Sequence, residues 1–220
     1  MKKMIAFNGS PRKSGNSVHM LEHFFKGAHV HTHQTEQIDT HYLEIEFCRG
    51  CLRCNVLGRC SIQNDRWPEI SEKISTADVL VFASPIYFHH LTAQLKKVLD
   101  RFRSFLQVQL NEASLTHTPR GKWNKDFVLL LSMGSSDVAD AQPVVDLFHF
   151  ISSTLGDQNK VHVIKGTRLA VAGQISKSET VLRSLYPKLN LSENLASQDY
   201  YKNRQLLEQC YQLGDQLGKE

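Results

Sequence analysis

No apolar run in this sequence approaches the roughly 18–20 residues that a membrane-crossing helix needs, so no such helix is expected. The one apolar stretch near the start, Met4 to Phe7, stops at once at Asn8-Gly9-Ser10-Pro11. That is too short for the apolar segment of a secretory signal, and a cytoplasmic protein is expected. A dense basic stripe is also missing. The net charge is only +4, and the basic pairs Lys2-Lys3, Arg12-Lys13 and Lys96-Lys97 are scattered among acids, which argues against a nucleic-acid binder. Neither a Ser/His/Asp pattern nor His-Glu-x-x-His is present to suggest hydrolysis. There is no internal repeat, low-complexity tract or linker. With 41% hydrophobic residues the chain has enough apolar material for a sizeable core, and residues 1–220 read as one domain.

What is present is an alternation of strands and helices. Lys3 to Phe7 reads as a first strand, and from Ser17 a helical pattern places Val18, Leu21, Phe24 and Phe25 on one face. Residues 35–45 alternate loosely, as a second strand would. Trp67, Ile70 and Ile74 mark a short helix with Pro68 in its first turn. Residues 77–83 and 126–132 are unbroken apolar runs of the length of buried parallel strands. Leu91, Leu95, Val98, Leu99, Phe102 and Leu106 recur at helical spacing and predict one long amphipathic helix. Val144 to Leu155 reads as a helix, and residues 161–164 as a fifth strand that residues 169–172 would extend beyond Gly166. The last helix carries Leu206, Leu207, Cys210, Leu213 and Leu217, with Cys210 as a small core residue. Residues 176–200 read as a surface excursion. The pattern implies an α/β fold, a doubly wound five-stranded parallel sheet with helices on both faces.

In such sheets ligands bind outside the carboxyl ends of the strands. Three segments fall there. Residues 8–17 offer hydroxyls, glycines for close backbone approach and the start of a helix, which together suit a phosphate. The loop matches neither the Walker A order nor G-x-G-x-x-G. Ser84-Pro85-Ile86-Tyr87-Phe88-His89-His90 sets flat aromatic and apolar surface beside that seat, as a flat heterocycle attached to the phosphate would require. Ser132-Met133-Gly134-Ser135-Ser136 leaves backbone amides free for a ring's polar edge.

Four of the five cysteines crowd into Cys48-x2-Cys51-x2-Cys54-x5-Cys60. In a reducing compartment this suggests metal or redox chemistry and not a disulfide framework. The spacing suits a [4Fe–4S] cluster. It fits a structural zinc, which draws on two separated pairs, less well, and thiols without metal remain compatible with it. Of eleven histidines, His29, His31 and His33 alternate in a polar stretch and are expected in a solvated loop; His89 and His90 follow the aromatic segment, near a bound ring.

Asn8-Gly9-Ser10-Pro11-Arg12-x-x-Gly15-Asn16-Ser17, the cysteine run, Ala77-Asp78, Ser84-Pro85-Ile86-Tyr87-Phe88 and Lys96-x-x-x-Asp100-Arg101, in that order, resemble the flavodoxin-like NADPH-dependent FMN reductase family, whose cysteine-bearing branch includes the iron-sulfur flavoproteins. The resemblance runs from residue 3 to about residue 136. It implies non-covalent FMN, a flavodoxin-like fold and a homodimer or higher homo-oligomer. It places Ser10, Arg12, Asn16 and Ser17 at the phosphate, Pro85, Ile86, Tyr87 and Phe88 along the isoalloxazine, and Met133, Gly134 and Ser135 near its polar edge. Lys96 and Asp100-Arg101 match the family's helix motif, although an exposed i,i+4 pair would look the same. Asn64-Asp65 stands where the family often has two aspartates. The activity implied is NAD(P)H oxidation with electrons passed through FMN to a quinone, nitroaromatic, flavin or similar small acceptor. An iron-sulfur flavoprotein taking electrons from a ferredoxin-like partner is the first alternative, and a non-catalytic flavin or thiol redox sensor the second.

Overall fold

The computed structural model describes residues 2–219. Five strands, β1 (Met4–Asn8), β2 (Thr35–Asp39), β3 (Val79–Pro85), β6 (Asp126–Ser132) and β7 (Lys160–Gly166), form one parallel sheet in the order β2-β1-β3-β6-β7. The register aligns Phe7 with Phe82, Phe82 with Leu129 and Leu129 with Val163. β3 and β6, at the centre, are buried at nearly every position, which explains their unbroken apolar sequences; β2, at the edge, buries only Ile38.

Side chains of a strand alternate between faces, so the sheet divides the core in two. Ile5, Phe7, Leu80, Phe82, Phe127 and Leu129 meet α3 (Trp67–Thr76), α4 (Ala93–Arg101) and α5 (Gln142–Leu155) through Trp67, Leu95 and Phe148. Met4, Ala6, Val79, Val81, Val128 and Leu130 face α1 (Asn16–Ala28) and α7 (Leu195–Lys219). The sheet is therefore wound on both sides, as the alternation implied. α1 and α7 cross so closely that a Cβ at Gly27 would meet the Tyr211 carbonyl, and one at Gly214 the Phe24 carbonyl.

Several boundaries differ from the sequence reading. The second strand ends at Asp39; Leu43 and Ile45 are still buried, but on an extended loop that Lys97 Nζ holds by donating to the Leu43 carbonyl at 3.1 Å. The long helix expected from Leu91 to Leu106 stops at Arg101. A 3-10 turn over Phe102–Phe105 follows, and then an antiparallel hairpin of β4 (Leu106–Leu110) and β5 (Leu115–Pro119). The apolar positions after Arg101 are core residues of a turn and a strand, which mimic helical spacing over two steps. The signal for the hairpin is the alternation Leu106-Gln107-Val108-Gln109-Leu110. Residues 169–172 do not extend β7; they form a loop wall. The excursion at 176–200 is largely helical: α6 (Glu179–Leu185), a 3-10 turn over Tyr186–Leu189 and the start of α7, packed around Leu182, Tyr186 and Ala196.

Candidate functional site

The crossovers leave the sheet in opposite directions on either side of β1 and β3, and the crevice outside their carboxyl ends is the natural ligand position in this topology. A cleft of about 240 Å³ lies there. Ser10, Arg12, Gly15, Asn16, Ser17, Pro85, Ile86, Tyr87, Met133 and Gly134 line it, so all three segments singled out in the sequence converge. Ser132, Leu169 and Ala170 line it too; the last two were not foreseen, because a loop residue carries no periodic signal.

The first loop is a tight cradle. Gly9 N donates to the Ala83 carbonyl at 2.7 Å, and Thr92 Oγ1 to the Gly9 carbonyl at 2.9 Å. Asn8 Oδ1 accepts from Ser10 N at 3.0 Å, and Ser10 Oγ accepts from Arg12 N at 3.2 Å. A Cβ on Gly15 would drive into Ser10 Oγ, so this closure requires glycine. Gly15 is the N-cap of α1, and neither a side-chain cap nor an acidic residue compensates the helix's positive end. Ser17, 1% exposed, has a buried hydroxyl with no hydrogen-bond partner. A buried hydroxyl rarely stands alone, and one beside free helix amides is completed by an anion. This is the observation that fits a phosphate.

Asn16, its neighbour, is not free. Its Nδ2 donates to the Leu169 and Val171 carbonyls at 3.1 and 2.9 Å, and its Oδ1 accepts from Ile175 N at 3.0 Å. Arg12 is exposed and reaches the Ala170 carbonyl at 3.3 Å. In the second segment, Tyr87 and His90 exchange backbone hydrogen bonds at 2.9 Å around Phe88 and His89, both left-handed at φ 48° and 60°. The turn presents Tyr87 to the cleft and leaves Phe88 fully exposed and outside it. His89 faces Asp140 at 3.6 Å. In the third segment Met133 and Gly134 face the cleft, while Ser135 instead accepts from Asp137 N through Oγ and from Arg168 N through its carbonyl.

The four clustered cysteines line a second cavity, together with Arg101 and Arg103. The loop folds back through left-handed Gly50, Leu52 and Gly58. Cys54 opens α2 (Cys54–Leu57), and the Arg103 guanidinium lies 3.6 Å from its sulfur. Asn55, next in sequence, bonds Val108 N and O, which clamps α2 to the hairpin. Hydrogen bonding from Ser61 lowers the Cys51 thiol pKa. Among the described residues no three metal-binding side chains converge on a single point. The four thiols line one cavity without meeting as a metal's ligands do.

Asp65, from the Asn64-Asp65 pair, holds this region to α4. Arg101, 1% exposed, donates to Asp65 Oδ2 at 2.7 Å and to the Glu46 carbonyl at 2.7 Å. Burial alone would raise the Asp65 pKa, but the bonds from Arg101, Glu46 N and Trp67 N bring it down. Arg101 is thus an interior tie, whereas Lys96 and Asp100 form an exposed i,i+4 pair at 2.5 Å. His29 and His31 tie the end of α1 to Thr35 and Asp215 at 2.7 Å each.

Residues 2–174 match the NADPH-dependent FMN reductase family. The chain belongs to that family. An iron-sulfur flavoprotein of Archaeoglobus fulgidus is 28% identical over 137 residues, 61% of this chain and 57% of its own length. One of Methanocaldococcus jannaschii is 36% identical over 101 residues, 46% of this chain and 52% of its own length. The chain thus spans about half the length of the curated relatives it matches. Among solved structures, an NAD(P)H:quinone oxidoreductase from Methanothermobacter marburgensis superimposes with a TM-score of 0.64 at 16% identity, over 98% of both chains. An FMN-dependent NADH-azoreductase from Bacillus anthracis, in complex with FMN, gives 0.60 at 14% identity, over 97% of this chain and 100% of that one. These likenesses establish the flavodoxin-like α/β fold. No helix among the described residues is long and apolar enough to cross a membrane.

Proposed function

We propose that residues 1–220 form one FMN-binding unit that oxidises NAD(P)H and reduces a quinone, flavin or similar small acceptor. The buried, partnerless Ser17 hydroxyl at the uncapped start of α1, opening onto the cleft, carries this reading. Ser10, Arg12 and Ser17 with the first-turn amides of α1 would hold the phosphate. Pro85, Ile86, Tyr87, Met133 and Gly134 would flank the ring and exclude water from one side. FMN, when bound, supplies the two-electron chemistry, so the protein needs no acid/base pair of its own. Its work is seating, orientation and electrostatics. Asn16 enters as a positioning residue, since its amide is already engaged. Titrating the isolated protein with FMN, followed by steady-state NAD(P)H oxidation with a quinone, tests the proposal. Colourless protein that takes up no FMN refutes it, and flavin-loaded protein without turnover favours the redox-sensor alternative.

A second reading rests on the thiols. Cys48, Cys51, Cys54 and Cys60 around one cavity would hold a [4Fe–4S] cluster, with Arg103 beside Cys54 offsetting thiolate charge. The similarity to proteins named iron-sulfur flavoproteins supports it. The protein would then exchange single electrons with a ferredoxin-like donor, as a cytoplasmic homo-oligomer. Protein purified without oxygen should contain iron and sulfide. Cys54→Ser should lose both while retaining FMN, and wild-type protein free of iron rules the cluster out.

A further inference from the structure

The cleft wall formed by Leu169 and Ala170 belongs to no strand or helix. Its backbone groups nonetheless find partners, and side chains supply most of them. Gln174, fully buried, accepts from Ala170 N and Val171 N through Oε1 at 3.0 and 3.2 Å, and donates to the Arg168 carbonyl through Nε2 at 2.6 Å. Asn16 binds the Leu169 and Val171 carbonyls from the phosphate loop. Leu169 N and Arg168 N donate to the Met133 and Ser135 carbonyls at 2.8 Å, which joins the wall to the third loop. Two side-chain amides thus replace a missing ladder strand.

The wall is also anchored from behind. Arg168 sits at φ 55°, a conformation a long side chain adopts only when its surroundings hold it there. Its guanidinium grips Asp199 of α7, 1% exposed, through Nε at 2.8 Å and Nη2 at 2.5 Å. Tyr186 donates to the same carboxylate at 2.6 Å, and Lys202 bridges it to the Thr167 carbonyl. A buried bidentate pair with its remaining lone pairs filled is a rigid tie.

We propose that Gln174, with the Arg168–Asp199 tie behind it, is a positioning residue for the flavin: it fixes the Leu169–Ala170 wall of the cleft in place beside Gly134. The inference rests on the FMN reading above and extends it to a residue that touches no ligand. The C-terminal helix, remote from the chemistry, then takes part in shaping the site.

The test is titration of apo protein with FMN and, separately, with riboflavin, read by flavin fluorescence, alongside a thermal unfolding midpoint. Gln174→Leu keeps the bulk and removes all three hydrogen bonds. Its dissociation constants for FMN and riboflavin should both rise at least tenfold, because the wall flanks the ring that the two ligands share. Ser17→Ala should instead weaken FMN alone. Gln174→Glu retains the acceptor and should fall between wild type and Gln174→Leu; should Gln174→Leu not fold, Gln174→Glu and Asp199→Asn carry the measurement. Two results overturn the proposal: a variant whose midpoint falls while both dissociation constants stay within twofold of wild type, or one that loses FMN but not riboflavin. Wild-type protein that binds neither flavin brings down the FMN reading itself, and this inference with it.

Discussion

Ser17 and Asn16 are adjacent small polar residues at the start of α1, yet the fold uses them for opposite purposes. The Ser17 hydroxyl is buried and partnerless, whereas the Asn16 amide makes three hydrogen bonds to the 169–175 loop. A hydrogen bond to a charged group contributes about 1.5–3 kcal/mol, so Ser17→Ala should weaken FMN by roughly ten- to hundredfold with little change in the unfolding midpoint of apo protein. Fluorescence titration and calorimetry on the same preparation check both halves. Asn16→Asp should behave differently. It replaces a donor with a carboxylate against the Leu169 and Val171 carbonyls, so the apo protein itself should lose about 1–3 kcal/mol in urea denaturation, and FMN affinity should fall as well.

At the level of elements, the closest packing is the crossing of α1 and α7. Overpacking usually costs about 1–3 kcal/mol when side chains can give way. At Gly214 the obstacle is the Phe24 carbonyl, which cannot, so Gly214→Ala should cost at least that much and lower the thermal midpoint. An unchanged midpoint would show that the helices can separate freely. The cysteine loop depends on a different junction, where Asn55 bonds both backbone groups of Val108. Asn55→Ala should free α2 from the hairpin, and protease cleavage within residues 49–60 should accelerate while the sheet stays intact.

For the whole molecule, acid stability is set by interior carboxylates that are held ionised. Burial pushes the Asp199 pKa up, but hydrogen bonds from Arg168, Tyr186 and Lys202 outweigh it and bring it to about 2 from an ordinary 3.8. The bonds to Asp65 and Asp126 act in the same direction against burial. A folded-state pKa below the unfolded one gives stability that is present above about pH 4 and lost as pH falls toward 2. Asp199 alone should contribute about 2 kcal/mol of this. Urea midpoints measured between pH 5 and 2 should fall steeply for wild type and less so for Asp199→Asn. At the alkaline end, burial and then the Asp199 carboxylate raise the Tyr186 pKa, and burial raises the Cys210 thiol to about 12. Both groups stabilise while protonated, so their contributions are lost at high pH, beginning above the ordinary thiol value of 9.0.

The order of strands and helices, the five parallel strands and the three loops that line the cleft were legible in the amino-acid sequence, because buried strands are continuous apolar runs and ligand loops follow them directly. The crowding of four cysteines was legible for the same local reason. Tertiary structure alone decided the rest. Leu106 continues a helical spacing and yet begins a hairpin, since the chain must turn at Phe102–Phe105 to bury Phe105 and Val108. Leu169 and Ala170 read locally as a strand extension and Gln174 and Asp199 carry no local signal, because their partners lie on the phosphate loop, the third loop and the C-terminal helix. Local pattern encodes which face of an element is buried; which free backbone group a distant amide or carboxylate completes is settled only when the loops are brought together.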